Sequence, residues 1–136
     1  MIVEKVSRED WARVSENAHL LVFGTKKPSE HERIDFALIC VEGAQIEGYL
    51  TCKEMDHESV YWQFGGALPH VKGSLNSFRG YQLFVNWAQA HYKRVQTRIE
   101  NTNTAMIKFA MKVGFLIVGV RYVQGSTLLE LELEFK

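Results

Sequence analysis

Period-two alternation of apolar and polar positions divides the chain into seven short segments, and three stretches with apolar residues at three-to-four spacing lie between them. Val95, Thr97 and Ile99 alternate with Gln96, Arg98 and Glu100, and Leu129, Leu131, Leu133 and Phe135 alternate with Glu130, Glu132 and Glu134. Both read as strands, the second with one face for solvent. Ile2 to Val6, Asp35 to Val41, Ile46 to Met55, Val60 to Leu68 and Leu116 to Val123 supply the other strands. The helical stripes are Trp11, Val14, Ala18 and Leu21; then Leu75, Phe78, Tyr81, Phe84, Val85 and Ala88; then Ala105, Met106, Phe109, Ala110 and Val113.

Caps and turns fix the ends of these segments. Ser7 with Asp10 makes a capping-box-like start to the first helix, and Asn101-Thr102-Asn103-Thr104 offers side-chain oxygens to the last. Lys108 and Lys112 sit near the negative end of that last helix, and Gly114 can close it in the left-handed conformation. Glu42-Gly43-Ala44-Gln45 has hairpin length, Asp56-His57-Glu58 marks another turn, and Gln124-Gly125-Ser126 joins the last two strands. Gly24 to Arg33, polar and with Pro28, reads as a mobile loop or a short irregular helix able to gate an acceptor. Gly65-Gly66 interrupts the fourth strand and predicts a bulge or a close approach of backbone or ligand. The predicted order is strand, helix and loop, three strands, helix, strand, helix, two strands. The strand-helix-strand unit in its middle should be a right-handed crossover between parallel strands.

At 136 residues and 46% hydrophobic, the chain suits a single domain, residues 1–136, with one sizeable core. No apolar run approaches the roughly 20 residues a bilayer span needs, and Met1-Ile2-Val3-Glu4-Lys5 lacks the order of a secretory signal, so a cytoplasmic protein is expected. Cys40 and Cys52 lie in strands without metal-ligand spacing and read as reduced core thiols. Sixteen basic residues balance sixteen acidic ones, which predicts no attraction to nucleic acid or membrane. Between Ser59 and Ile99, however, there is no acidic residue, while Lys72, Arg79, Lys93, Arg94 and Arg98 fall there. Such a local positive field suits a compact anion, or is simply a solvated face.

Asn103 through Phe115, NTAMIKFAMKVGF, resembles the last helix and Gly-Phe junction of the Gcn5-related N-acetyltransferases, and the element order matches that family over essentially the whole chain. The compact sequence is also reminiscent of small members found in bacteriophage genomes. The resemblance implies an α/β (α+β) fold: a central mixed, largely antiparallel sheet of about seven strands, helices on both faces, and strands 4 and 5 splayed apart. It also implies acetyl-CoA as cosubstrate, no metal, and an acceptor amine on a small molecule or protein.

Carried onto this chain, the resemblance places the thioester in the gap between strands 4 and 5, with its carbonyl polarised by a backbone amide near Gly66, Ala67 or Leu68. It assigns the pyrophosphate to the turn after Pro69, where Lys72, Gly73, Ser74, Asn76, Ser77 and Arg79 supply backbone donors, hydroxyl and amide groups and charge. Two positions depart from the family pattern: His70 stands for the first basic or amide residue and Leu75 for the last small one. Asn103 is a pantetheine contact, a helix cap, or both; Phe109 is a pantetheine contact or core. For proton transfer, Glu47, Glu54 and Glu58 lie on or beside the second hairpin, and His57 and His70 titrate in a useful range. Many relatives place a tyrosine seven residues after the matching asparagine; Ala110 stands there, so the thiolate would leave unprotonated, take a proton from water, or use Tyr122 or Tyr61. Glu54, Glu58 and Tyr122 are the catalytic candidates.

The leading expectation is transfer of acetyl from acetyl-CoA to a primary amine by direct attack in a ternary complex. A catalytically impaired binding or structural module of the same fold is the alternative. Nucleic-acid binding through Lys93, Arg94 and Arg98 ranks below both, since no recognition motif accompanies them. The alternating terminal strand could pair at a sheet edge in a homodimer.

Overall fold

A computed structural model describes residues 1–12, 33–68, 70 and 75–136, the side chains of Leu75 and Asn76 excepted. Val14, Ala18, Leu21, nearly all of the loop before Arg33, and Lys72, Gly73 and Ser74 lie outside the described residues. The elements run β1 (Ile2–Ser7), β2 (Phe36–Glu42), β3 (Gln45–Glu54), β4 (Ser59–Ala67), α1 (Leu75–His91), β5 (Arg94–Glu100), α2 (Thr104–Val113), β6 (Leu116–Val123) and β7 (Ser126–Glu134). Every predicted strand is present with its ends within one residue. Residues 8–12 are helical, and the Asp10 amide donates to Ser7 Oγ at 3.2 Å, the predicted cap.

One seven-stranded sheet, ordered β1-β2-β3-β4-β5-β7-β6, holds all of these strands. Neighbours are antiparallel except β4 and β5, which α1 joins as a parallel pair. β7 therefore lies inside the sheet, between β5 and β6, and the edge expected of the terminal strand belongs to β6 instead. The chain makes this swap because Arg94 to Glu100 pairs along its whole length with Leu128 to Glu134.

Alternation then sorts the side chains. Phe36, Leu38, Cys40, Leu50, Cys52, Val60, Trp62, Val95, Ile99, Leu131 and Leu133 share one buried cluster with Tyr81, Phe84, Val85 and Ala88 of α1 and Ala110 of α2. Burying a large apolar side chain fully contributes about 1.5–3 kcal/mol, so this stripe holds α1 in place more than helix propensity does. Ala37 and Tyr49 form a second cluster with Trp11 and Ile34, the Trp11 and Tyr49 rings 5.0 Å apart. Helical residues thus pack on both faces.

Candidate functional site

β4 and β5 pair only over their first halves. Ser59, Val60, Tyr61 and Trp62 face Arg94, Val95, Gln96 and Thr97, and the Thr97 hydroxyl donates to the Trp62 carbonyl at 3.0 Å where the pairing ends. Beyond that point each strand keeps only its outer neighbour. Phe64, Gly65, Gly66 and Ala67 continue against β3, while Arg98, Ile99 and Glu100 continue against β7. The result is a fork, open toward the C-terminal ends of both parallel strands.

A bulge in β4 produces it. Thr51 faces Phe64 and Cys52 faces Trp62, so Gln63 is an extra residue in β4 and bends the strand at the fork. The Thr51 hydroxyl repairs the ladder there, accepting from the Phe64 amide at 3.0 Å and donating to its carbonyl at 3.2 Å. The bulge expected at Gly65-Gly66 therefore sits at Gln63. Gly65 answers instead to close approach: a Cβ would lie 2.7 Å from the Tyr49 carbonyl oxygen and 2.9 Å from Leu50 Cδ1.

Strand alternation decides which amides face the opening. The Phe64 amide points to Thr51 and the Leu68 amide donates to the Glu47 carbonyl at 2.9 Å, both toward β3. The amides of Gly65 and Ala67, at the intervening positions, therefore point toward β5 and into the fork. Of Gly66, Ala67 and Leu68, Ala67 has the direction a wedge-bound carbonyl requires. Trp62, the last residue of β4 paired with β5, packs its ring in the core against Tyr81 and Phe115, and its Nε1 has no hydrogen-bond partner among the described residues, as is also true of Trp11 Nε1 in the opposite cluster.

α1 and α2 roof this end with aromatic rings. Phe78 and Phe109 meet edge to face at 5.3 Å, Tyr81 lies 6.1 Å from Phe109 and 5.8 Å from Trp62, and Lys112 Nζ stands 4.7 Å over the Phe78 ring. Asn103 caps α2, its Oδ1 accepting from the Met106 amide at 3.3 Å, and Gly114 closes the helix at φ 111°. Ala105, expected in the buried stripe, is exposed in the first turn; Ala110 is fully buried. Arg79 is exposed on α1, and Ser77 is half-buried beside it.

Glu54 and Glu58 lie at the closed end. Glu58 precedes β4, its carbonyl accepting from the Lys93 and Arg94 amides and its carboxylate 3.3 Å from Lys93 Nζ. Ala67 lies nine positions further along the chain, roughly 30 Å of extended strand. Glu54 ends β3 beside Tyr92, whose hydroxyl is pushed up to about 12 by burial first and by Glu54 next. Tyr122, 75% exposed on β6, stands near the hairpin tip at the open end, two strands from the fork; Tyr61 lies in the paired half with Arg98 over its ring at 5.7 Å. Burial pushes both the Cys40 and the Cys52 thiols up, in keeping with core thiols.

The local positive field is largely cancelled by tertiary pairing. Arg94 and Arg98 share a face, as the alternation predicted, but Glu132 lies 3.5 Å from Arg94 Nε and Glu130 3.8 Å from Arg98 Nε. β7 thus supplies the acids that the Ser59 to Ile99 segment lacks.

At the open end the register brings together two residues 23 positions apart: the Glu47 carboxylate, on β3, bonds to His70 Nε2, just beyond β4. Glu47 is 7% exposed and is the one buried charged side chain among the described residues. Both residues stood in the sequence as separate titratable groups; their pairing needs the β3–β4 register and the bulge that makes Glu47 an extra residue between Cys40–Gly48 and Val41–Ile46.

Solved structures with this architecture are acetyltransferases. An IAA acetyltransferase from Bacillus cereus aligns with a TM-score of 0.75 at 13% identity, covering 98% of this chain and 99% of its own. An acetyltransferase of the GNAT family from Streptococcus pneumoniae gives 0.74 at 14%, covering 99% of each. A GNAT family acetyltransferase from Elizabethkingia anophelis, solved with acetyl-CoA bound, gives 0.68 at 17%, covering 88% and 89%. The chain has the Gcn5-related N-acetyltransferase fold. No family model and no curated protein matches its sequence, so the likeness to the Gcn5-related N-acetyltransferases is one of architecture. In that fold the fork described above is the gap between strands 4 and 5. No described helix is long and apolar enough to cross a membrane.

Proposed function

We propose that this protein is an N-acetyltransferase that moves acetyl from acetyl-CoA to a primary amine of a small molecule or protein by direct attack in a ternary complex. The observation that carries this reading is the fork: β4 and β5 part after Trp62 and Thr97, with the Gly65 and Ala67 amides turned into the gap. A thioester carbonyl seated there would accept from the Ala67 amide, and this donor would stabilise the oxyanion formed on attack without needing a side chain. Gly66 and Leu68 would shape the same wall. The turn with Lys72, Gly73 and Ser74, followed by Asn76, Ser77 and Arg79 at the start of α1, would hold the pyrophosphate; Asn103 and Phe109 would border the pantetheine. Glu54 and Glu58, at the far end of β4, are poorly placed for proton transfer in this reading, and Tyr122 reaches it only from the hairpin tip.

Isothermal titration with acetyl-CoA tests the proposal, and saturable binding with release of CoA thiol in the presence of an amine is expected. No binding at millimolar ligand would sink it. Ala110, buried where a tyrosine is expected, favours a second reading, a binding module that holds acetyl-CoA without turning it over. Binding without thiol release across a panel of amines and peptides would select that module.

A further inference from the structure

Building on the acetyltransferase reading, we infer that the acceptor carries a carboxylate as well as its amine, and that Arg98 holds this carboxylate at the base of the fork. The two faces of the sheet are unlike there. α1 and α2 pack on the face that carries Val60, Trp62, Val95 and Ile99, and in the proposed reading the pantetheine lies on that side, beside Asn103 and Phe109. The amine then arrives from the other face, where alternation sets Tyr61 on β4, Arg94 and Arg98 on β5, and Glu130 and Glu132 on β7. The apolar cluster of that second face is built on Ala37 of β2 and Tyr49 of β3 and includes no described residue of β4, β5 or β7. Beside the fork this face stays polar.

Two arginines of one ladder show what the parting of the strands does. Arg94 lies in the paired half of β5: its Nη1 donates to Ser59 Oγ of β4 at 2.9 Å, and its Nε stands 3.5 Å from Glu132 of β7. Arg98 is the first residue of β5 past the last pair, Trp62 with Thr97, and no β4 residue is paired with it. It keeps the β7 neighbour, Glu130 at 3.8 Å from Nε, and reaches back over the Tyr61 ring at 5.7 Å, but its guanidinium makes no hydrogen bond to a described residue. Such a planar group offers donors that match a carboxylate two at a time, and at 35% exposure the Arg98 side chain is open to a small ligand. The surrounding charge suits a single anion. Burial raises the Tyr61 hydroxyl, which keeps it a protonated donor, and the charges that act on it are Arg98, Glu130 and Arg121, one net positive. A carboxylate balances that charge, whereas a phosphate dianion exceeds it. Arg98 stands one residue past the last pair and Ala67 five past it, one of the five being the bulged Gln63, so the two lie roughly 10 Å apart along the strands. An amine and a carboxylate a few carbons apart span this distance once the contacts at each end are included.

The test measures kcat/KM with acetyl-CoA, read as CoA thiol release, for glycine, β-alanine, γ-aminobutyrate and ε-aminocaproate beside the alkylamines of equal carbon number, ethylamine, propylamine, butylamine and hexylamine. At the best length the amino acid should be favoured about tenfold or more over its alkylamine. Arg98→Gln should bring that ratio near one by raising KM for the amino acid, with acetyl-CoA affinity by calorimetry little changed. A wild type that treats the two series alike, or prefers the alkylamines, overturns the inference, and this comparison requires no variant to fold. A ratio unmoved by Arg98→Gln overturns it as well, and so does a wild type that favours phosphoethanolamine over β-alanine. Acetyl-CoA bound without transfer to either series also overturns it while leaving cofactor binding intact; absence of binding instead removes the acetyltransferase reading beneath it.

Discussion

Ala67 shows how little side chain the proposed chemistry needs. Its amide points away from the β3 ladder, so Ala67→Pro removes one N–H from the fork and none from the sheet. The expected loss is about 10²–10³ in kcat toward ethylamine, with acetyl-CoA affinity changed far less and the melting temperature nearly kept; an unaltered kcat would mean the amide does not face the thioester. Tyr92 carries a second residue-scale prediction. Burial and the neighbouring Glu54 raise its hydroxyl from 10.0 to about 12, so the folded state holds the proton more tightly than the unfolded chain. Stability from this group is complete below pH 10 and is lost as pH rises toward 12. Alkaline denaturation followed by far-ultraviolet circular dichroism should therefore shift to higher pH in Tyr92→Phe.

Two glycines in regular elements have opposite meanings. Gly80 lies inside α1, where a Cβ would meet Cys40 Sγ at 3.5 Å and Met1 Sδ at 3.9 Å, ordinary contact distances. Gly80→Ala should therefore stabilise the protein by about 0.5–1 kcal/mol, the helix-propensity gain. In β4, the Cβ of Gly65→Ala would press on Tyr49 backbone and the Leu50 side chain, which must shift. A loss of about 1–3 kcal/mol is expected, several degrees in melting temperature. Thermal melts of the two variants should move in opposite directions. Helical spacing makes α1 readable in the sequence, whereas the room beside Gly80 depends on its distance to Cys40, which only the packing of α1 on β2 sets.

Across the whole molecule, the edges differ in kind. β1 carries Glu4 and Lys5, whereas β6 carries Arg121 alone among Leu116, Ile117, Val118, Val120, Tyr122 and Val123, each at least 40% exposed. Charged edges resist pairing and apolar ones invite it. A homodimer formed through a sheet edge would therefore use β6 rather than the terminal strand, where a second copy paired antiparallel about a two-fold axis would bury identical apolar surfaces. Sedimentation velocity should show a concentration-dependent dimer that Val120→Lys abolishes; a wild type that remains monomeric at every concentration would rule this pairing out.

The sequence by itself determined the seven strands, the capped last helix and the stripe of α1, because periodicity and caps act over a few neighbouring residues and survive any arrangement of the whole. Asn103 and Gly114 were legible for that reason. The tertiary structure decided what depends on register: that the extra residue of β4 is Gln63, that the Ala67 amide faces the gap and the Leu68 amide does not, that Glu58 sits at the closed end, and that Glu47 meets His70. It also supplied Glu130 and Glu132 to Arg98 and Arg94, turning an acid-free segment into a paired surface. A shift of one residue in pairing reverses the direction of every amide and side chain in a strand, and no local pattern in the chain specifies which partner stands opposite.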